Sequence, residues 1–124
     1  MNKKIVVTGI GIQSCLGNTV KDYWDSLSNG ISGIRTITQV SSDSFPCKVS
    51  GEVQNFEPGE WMNPKEAKRM GRFSQLAVAA AKDAIKQSGF LGKIDTDRIG
   101  VLIGTGAGGL PETDQQAAIK ESKG

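Results

Sequence analysis

The stretch Ile5-Val6-Val7-Thr8-Gly9-Ile10-Gly11-Ile12 opens as a β-branched run and closes in a glycine-rich turn. Apolar residues at consecutive positions, rather than alternating ones, predict a strand buried on both faces, as in a parallel sheet. Residues 98–105, Arg98-Ile99-Gly100-Val101-Leu102-Ile103-Gly104-Thr105, repeat the design and run into Gly106-Ala107-Gly108-Gly109.

Helix signals fall between and after these two strands. Asn18 or Thr19 can cap a helix over residues 20–29, in which Val20, Tyr23, Trp24 and Leu27 recur at helical spacing and Gly30 marks the stop. Tyr23 and Trp24 read as core residues, whereas Trp61, beside Pro58 and Pro64, is open to an interface role. A polar loop with Gly33, Ser41, Ser42 and Pro46 leads to a short strand or edge segment over residues 47–53. Asn63-Pro64 is a helix start, with Asn as cap and Pro at the first position, and it introduces a basic helical segment over residues 65–71. An Ala-rich helix is expected over residues 73–88, stopping at Gly89, and a last helix over residues 112–121. The alternation of strands and helices is an α/β pattern, read as one domain over residues 1–124.

Composition narrows the chemistry. A net charge of +2 provides no global field toward nucleic acid or anionic lipid, so neither is expected as a partner. No apolar run approaches the roughly 20 residues that span a bilayer. The lead Met1-Asn2-Lys3-Lys4 runs into an apolar stretch too short for a signal-peptide core, so a cytoplasmic protein is expected. The two cysteines, Cys15 and Cys47, read as structural thiols, and with no histidine they do not close a zinc site. The same absence of histidine excludes Ser-His-Asp and Cys-His pairs within the chain.

Two motifs carry functional readings. Gly104-Thr105-Gly106-Ala107-Gly108-Gly109 fits G-x-G-x-x-G between a strand and a helix, the setting of a dinucleotide site. The acidic residue expected at the end of a following strand is missing, as it is after Gly9-Ile10-Gly11, so tight packing turns are the stronger reading and no cofactor is expected. Lys65, Lys68, Arg69 and Arg72 share one face if their segment is helical, which suits either a solvated surface or a docking face for an acidic partner.

Taken in order, Val6-Val7-Thr8-Gly9-Ile10-Gly11, Leu16-Gly17-Asn18, Gly30-Ile31-Ser32-Gly33-Ile34, Gly51-Glu52-Val53, Pro64-Lys65-Glu66-Ala67-Lys68-Arg69-Met70, Arg72-Phe73-Ser74-Gln75 and the run from Ile99 to Leu110 resemble the N-terminal part of the β-ketoacyl-acyl carrier protein synthases, nearest to the synthase II type. The resemblance implies a thiolase-like fold of two similar α/β halves, here the incomplete N-terminal half, with a mainly parallel sheet and flanking helices. It implies acyl transfer to a cysteine thiolate followed by decarboxylative condensation with malonyl-carrier protein, assisted by two histidines. Neither Cys15 nor Cys47 matches the nucleophile's motif, so no catalytic residue is assigned and the chain alone is expected to be inactive. Lys65, Lys68 and Arg69 fall on the family's carrier-protein-binding helix. Gly106, Ala107 and Gly108 fall on the turn bordering the acyl channel, and Ala107 stands where a bulky aliphatic gate is usual. The implied partners are an acidic acyl carrier protein, an acyl thioester and a second subunit in a homodimer. A non-catalytic carrier-binding module and a dinucleotide-binding domain are the rival readings. Two buried strands with few neighbours also imply exposed apolar surface and association with itself or a complementing segment.

Overall fold

Helix α1 (Val20–Ser28) starts because Thr19, in an extended conformation, accepts a hydrogen bond from the Asp22 amide and donates its hydroxyl to Asp22 Oδ2 at 2.7 Å. Asn29 closes it and Gly30 leaves with φ +66°, the left-handed turn that glycine adopts without strain. These are features of a computed structural model that describes residues 3–41 and 43–123. Met1, Asn2, Ser42 and Gly124, named above in the N-terminal lead, the polar loop and the domain bounds, lie outside the described residues.

The chain then forms β1 (Arg35–Thr36) and β2 (Val49–Ser50), which pair antiparallel with Arg35 opposite Ser50 and Thr36 opposite Val49. β2 lies within the expected edge segment, while β1 arises in what reads as loop. Glu52 braces the connection. Its carboxylate accepts from the Thr38 amide, the Thr38 hydroxyl at 2.7 Å and the Gln39 amide. These bonds, the Thr38 hydroxyl foremost, hold the Glu52 carboxyl below its ordinary pKa. A group with a depressed folded pKa stabilises above its unfolded value and loses that contribution as pH falls through the folded value. In an acid titration the Thr38 and Gln39 amide shifts are therefore expected to move in the wild type and to stay flat in Glu52→Gln.

A 3₁₀ turn over Pro58–Glu60 leads into α2 (Pro64–Ala67), capped by Asn63 accepting from the Lys65 amide. α3 (Arg72–Ser88) follows and ends at Gly89, φ +59°. α4 (Leu110–Lys123) starts two residues earlier than expected, Pro111 fitting its first turn, and also runs two residues further. Phe56, Met62, Ala67 and Ala79 form the buried core, and Ala79 on α3 is fully enclosed. Arg72 joins this cluster: its guanidinium lies 5.3 Å from the Phe56 ring centroid and donates to the Val53 carbonyl at 3.1 Å.

The Ala-rich face of α3 receives the first glycine turn. A Cβ placed on Gly11 would lie 1.8 Å from the Ala80 carbonyl oxygen, and one on Gly9 would lie 2.0 Å from that of Ala84. Backbone therefore crosses directly over helix backbone, and the Ile10 amide is held by Gln87 Oε1 at 2.6 Å. Gly9 and Gly11 are required for this close approach, which accounts for both glycines without a phosphate.

The parallel sheet expected from residues 5–12 and 98–105 is absent among the described residues, whose only sheet is the antiparallel pair. Arg98 ends a 3₁₀ turn (Thr96–Arg98), residues 5–12 and 99–105 have no regular secondary structure, and Ile5 is 95% exposed and Leu102 98% exposed. An interior parallel strand needs ladder partners on both edges and helices on both faces, and no described segment supplies them. The core placement of Trp24 is corrected too: it is 63% exposed, because none of the described residues covers the outer face of α1, where Val20 and Leu27 are exposed as well. The accessible surface of 10133 Å² far exceeds the about 6,400 Å² expected of a folded monomer of 13.1 kDa. The excess, about 3,700 Å² on this chain alone, is more than the roughly 1,000–2,500 Å² that each partner contributes to a typical obligate interface.

Candidate carrier-docking face and glycine turn

The basic segment begins as a helix but does not continue as one. The Arg69 and Met70 amides fold back to Glu66 and Ala67, three residues earlier, and Gly71 turns out in an extended conformation. The Gln75 carboxamide takes the Ala67 carbonyl at 2.9 Å and the Met70 carbonyl at 3.2 Å, so these acceptors are satisfied without another helical turn. A continuous helix over residues 65–71 is therefore corrected to four helical residues and a tightened turn.

The four cations separate accordingly. Arg72 turns inward onto Phe56 and Val53, whereas Lys65, Lys68 and Arg69 remain exposed. Among the described residues the ion pair is Lys21–Asp25 on α1, so none of these three cations is neutralised by an ion pair within the chain. Compact turn geometry, rather than a helical stripe, concentrates them on one short stretch.

The second glycine turn has an open half and a packed half. No atom lies within 4 Å of a Cβ placed on Gly104 or Gly106, and Ala107 is exposed. On the packed side, a Cβ on Gly108 would meet the Phe73 ring at 2.8 Å and Thr105 Oγ1 at 2.5 Å. The Gly108 amide donates to Thr105 Oγ1 at 3.1 Å, and Gly109, φ +84°, hands the chain to α4. Phe73, from α3, is thus the support of a turn that lies more than thirty positions later in the sequence. A lone aromatic at a helix start carries no sign of that distant contact.

Cys15 lies between Gly33 and Gly51, its Sγ 2.7 Å and 3.1 Å from where their Cβ atoms would sit. Cys47 is exposed, and both thiols are free. Among the described residues no group of His, Cys, Asp and Glu is arranged to hold a metal, and no helix is long and apolar enough to cross a membrane.

Comparison with known proteins adds an independent measure. The sequence model described as "Beta-ketoacyl synthase, N-terminal domain" matches residues 2–124. The chain is 42% identical over 123 residues to a 3-oxoacyl-[acyl-carrier-protein] synthase 2 of Synechocystis sp., covering 98% of this chain and 30% of that one. It is 40% identical over 110 residues to the enzyme of the same name from Staphylococcus aureus, covering 88% of this chain and 27% of the relative. Among solved structures, the ishigamide ketosynthase/chain length factor superposes with a TM-score of 0.64 at 38% identity, over 77% of this chain and 23% of that chain. The chain thus spans less than a third of the length of the relatives it matches. By the match over residues 2–124 and the identity to two synthase 2 enzymes, the chain belongs to the β-ketoacyl synthase N-terminal domain family, of the synthase 2 type.

Proposed function

We propose that this chain provides the N-terminal part of a cytoplasmic condensing enzyme of fatty acid synthesis, supplying a carrier-docking face and one wall of the acyl channel. The observation that carries the reading is the identity of 42% to a 3-oxoacyl-[acyl-carrier-protein] synthase 2 across 98% of the chain. Lys65, Lys68 and Arg69, exposed and outside any ion pair among the described residues, would take the acidic carrier protein. Gly106, Ala107 and Gly108 would border the acyl chain, with Ala107 leaving more room than a bulky aliphatic residue.

The condensation itself needs groups this sequence lacks. A thiolate must take the acyl group from the carrier thioester and release the carrier thiol. Loss of CO₂ from malonyl-carrier protein then yields a carbanion that attacks the acyl-enzyme thioester and expels the thiolate. N–H donors must stabilise the enolate oxygen as it forms. With no histidine here and neither Cys15 nor Cys47 in the nucleophile's motif, these groups belong to the complementary part of the enzyme. Residues 5–12 and 99–105, unpaired here, would then be neighbouring strands of its parallel sheet, and the exposed face of α1 would be covered. A homodimer is the assembly expected of that complete enzyme.

Two assays test this. The purified chain is expected to form no β-ketoacyl product from acyl- and malonyl-carrier protein. The same residues exchanged for the matching segment of the Synechocystis synthase 2 are expected to give a soluble, active chimera. Product from the isolated chain, or an insoluble and inactive chimera, contradicts the proposal. The carrier-binding module remains the rival, since it needs only the cationic stretch, and an inactive chimera that still binds carrier protein would favour it.

A further inference from the structure

The junction between α3 and α4 holds a contact that the docking and channel readings leave unused. Gly71, the N-cap of α3, gives no side-chain hydrogen bond to the first turn of that 17-residue helix. Glu112, in the first turn of α4, is packed over it: a Cβ on Gly71 would lie 2.5 Å from Glu112 Oε1. Glu112 Oε2 is enclosed and has no hydrogen-bond partner. A carboxylate held at a helix N-terminus interacts favourably with the partial positive charge there, even without a direct hydrogen bond. Two residues on, Phe73 supports the Gly108-Gly109 peptide.

We infer that Phe73 and Glu112 form a clamp that positions the 104–109 turn, Phe73 from beneath by contact with Gly108 and Glu112 by fastening α4 to the start of α3. They are positioning residues, acting on the turn and not on a substrate. Its consequence for chain-length selection rests on the function proposed above: the clamp would fix how far Ala107 stands from the acyl chain.

Amide hydrogen exchange of the 124-residue chain tests the clamp without any enzymatic activity. Phe73→Ala is expected to speed exchange of the Gly108 amide and of the Thr113 amide, which is bonded to the Gly109 carbonyl, about tenfold. The Tyr23 amide on α1, bonded to the Thr19 carbonyl, should not change. Phe73→Leu, which keeps an apolar support, should restore most of the protection, and Glu112→Ala should speed Thr113 exchange while leaving α1 alone. Unchanged Gly108 and Thr113 exchange in both Phe73→Ala and Glu112→Ala overturns the clamp. So does equal acceleration at Tyr23 and Gly108 in Phe73→Leu and Glu112→Ala, which would mean general loosening. A chimera inactive with an intact clamp would count against the proposed function alone.

Discussion

Gly11→Ala is expected to strip α3 of most of its helicity at 25 °C. The new methyl would arrive 1.8 Å from the Ala80 carbonyl oxygen, 2.8 Å from its carbon and 3.0 Å from the Ala84 nitrogen. All three are backbone atoms of a hydrogen-bonded helix, so no side chain can swing aside. Relief requires the segment 9–11 to lift off α3, which breaks the bond from the Ile10 amide to Gln87. Overpacking of a core costs about 1–3 kcal/mol where side chains adapt, and here, where none can, the upper end or beyond is expected. A chain with buried apolar residues as few as Phe56, Met62, Ala67 and Ala79 has little stability to lose. Gly100→Ala is the control, because nothing lies within 4 Å of a Cβ there. Far-UV circular dichroism of the two variants decides: equal helicity in Gly11→Ala and Gly100→Ala would mean that the crossing does not support α3.

The second large effect concerns binding. Lys68→Glu combined with Arg69→Glu is expected to weaken association with an acidic acyl carrier protein about a hundredfold, each reversal replacing attraction with repulsion at close range. Binding by the wild type should also weaken steeply with added salt, since the cations are exposed and screened over about 8–10 Å. Folding should be unaffected, because neither side chain enters the core. Lys120→Glu with Lys123→Glu, on α4, changes net charge by the same amount and should leave binding near wild type. Calorimetric titration of the two double variants separates a local face from a general charge effect. Equal affinities would place docking elsewhere.

The legible parts of this chain are local. Thr19, Asn63-Pro64 and Gly89 bound their helices where the cap rules put them, because a cap is satisfied by groups within three or four residues. The glycines of the first turn read as packing positions, and their contacts with Ala80 and Ala84 bear that out. The end of the basic helix was not legible. Its helical bonds stop at Ala67 because Gln75, in the next helix, competes for the same carbonyls. Arg72 illustrates the same limit. Helical spacing puts it with Lys65, Lys68 and Arg69, but the break at Gly71 sends it to Phe56 instead.

By itself the amino-acid order determined the caps at Thr19, Asn63 and Gly89, the packing role of the first glycine turn and the family, all of which depend on near neighbours or on patterns of residue type. Only the tertiary structure decided which cations reach solvent, that Phe73 supports a turn far along the chain, and that the two β-branched runs are left unpaired. The reason is physical: a strand's hydrogen bonds and a side chain's neighbours come from distant segments, so a run such as Val101-Leu102-Ile103 expresses a preference for burial that other chain must satisfy.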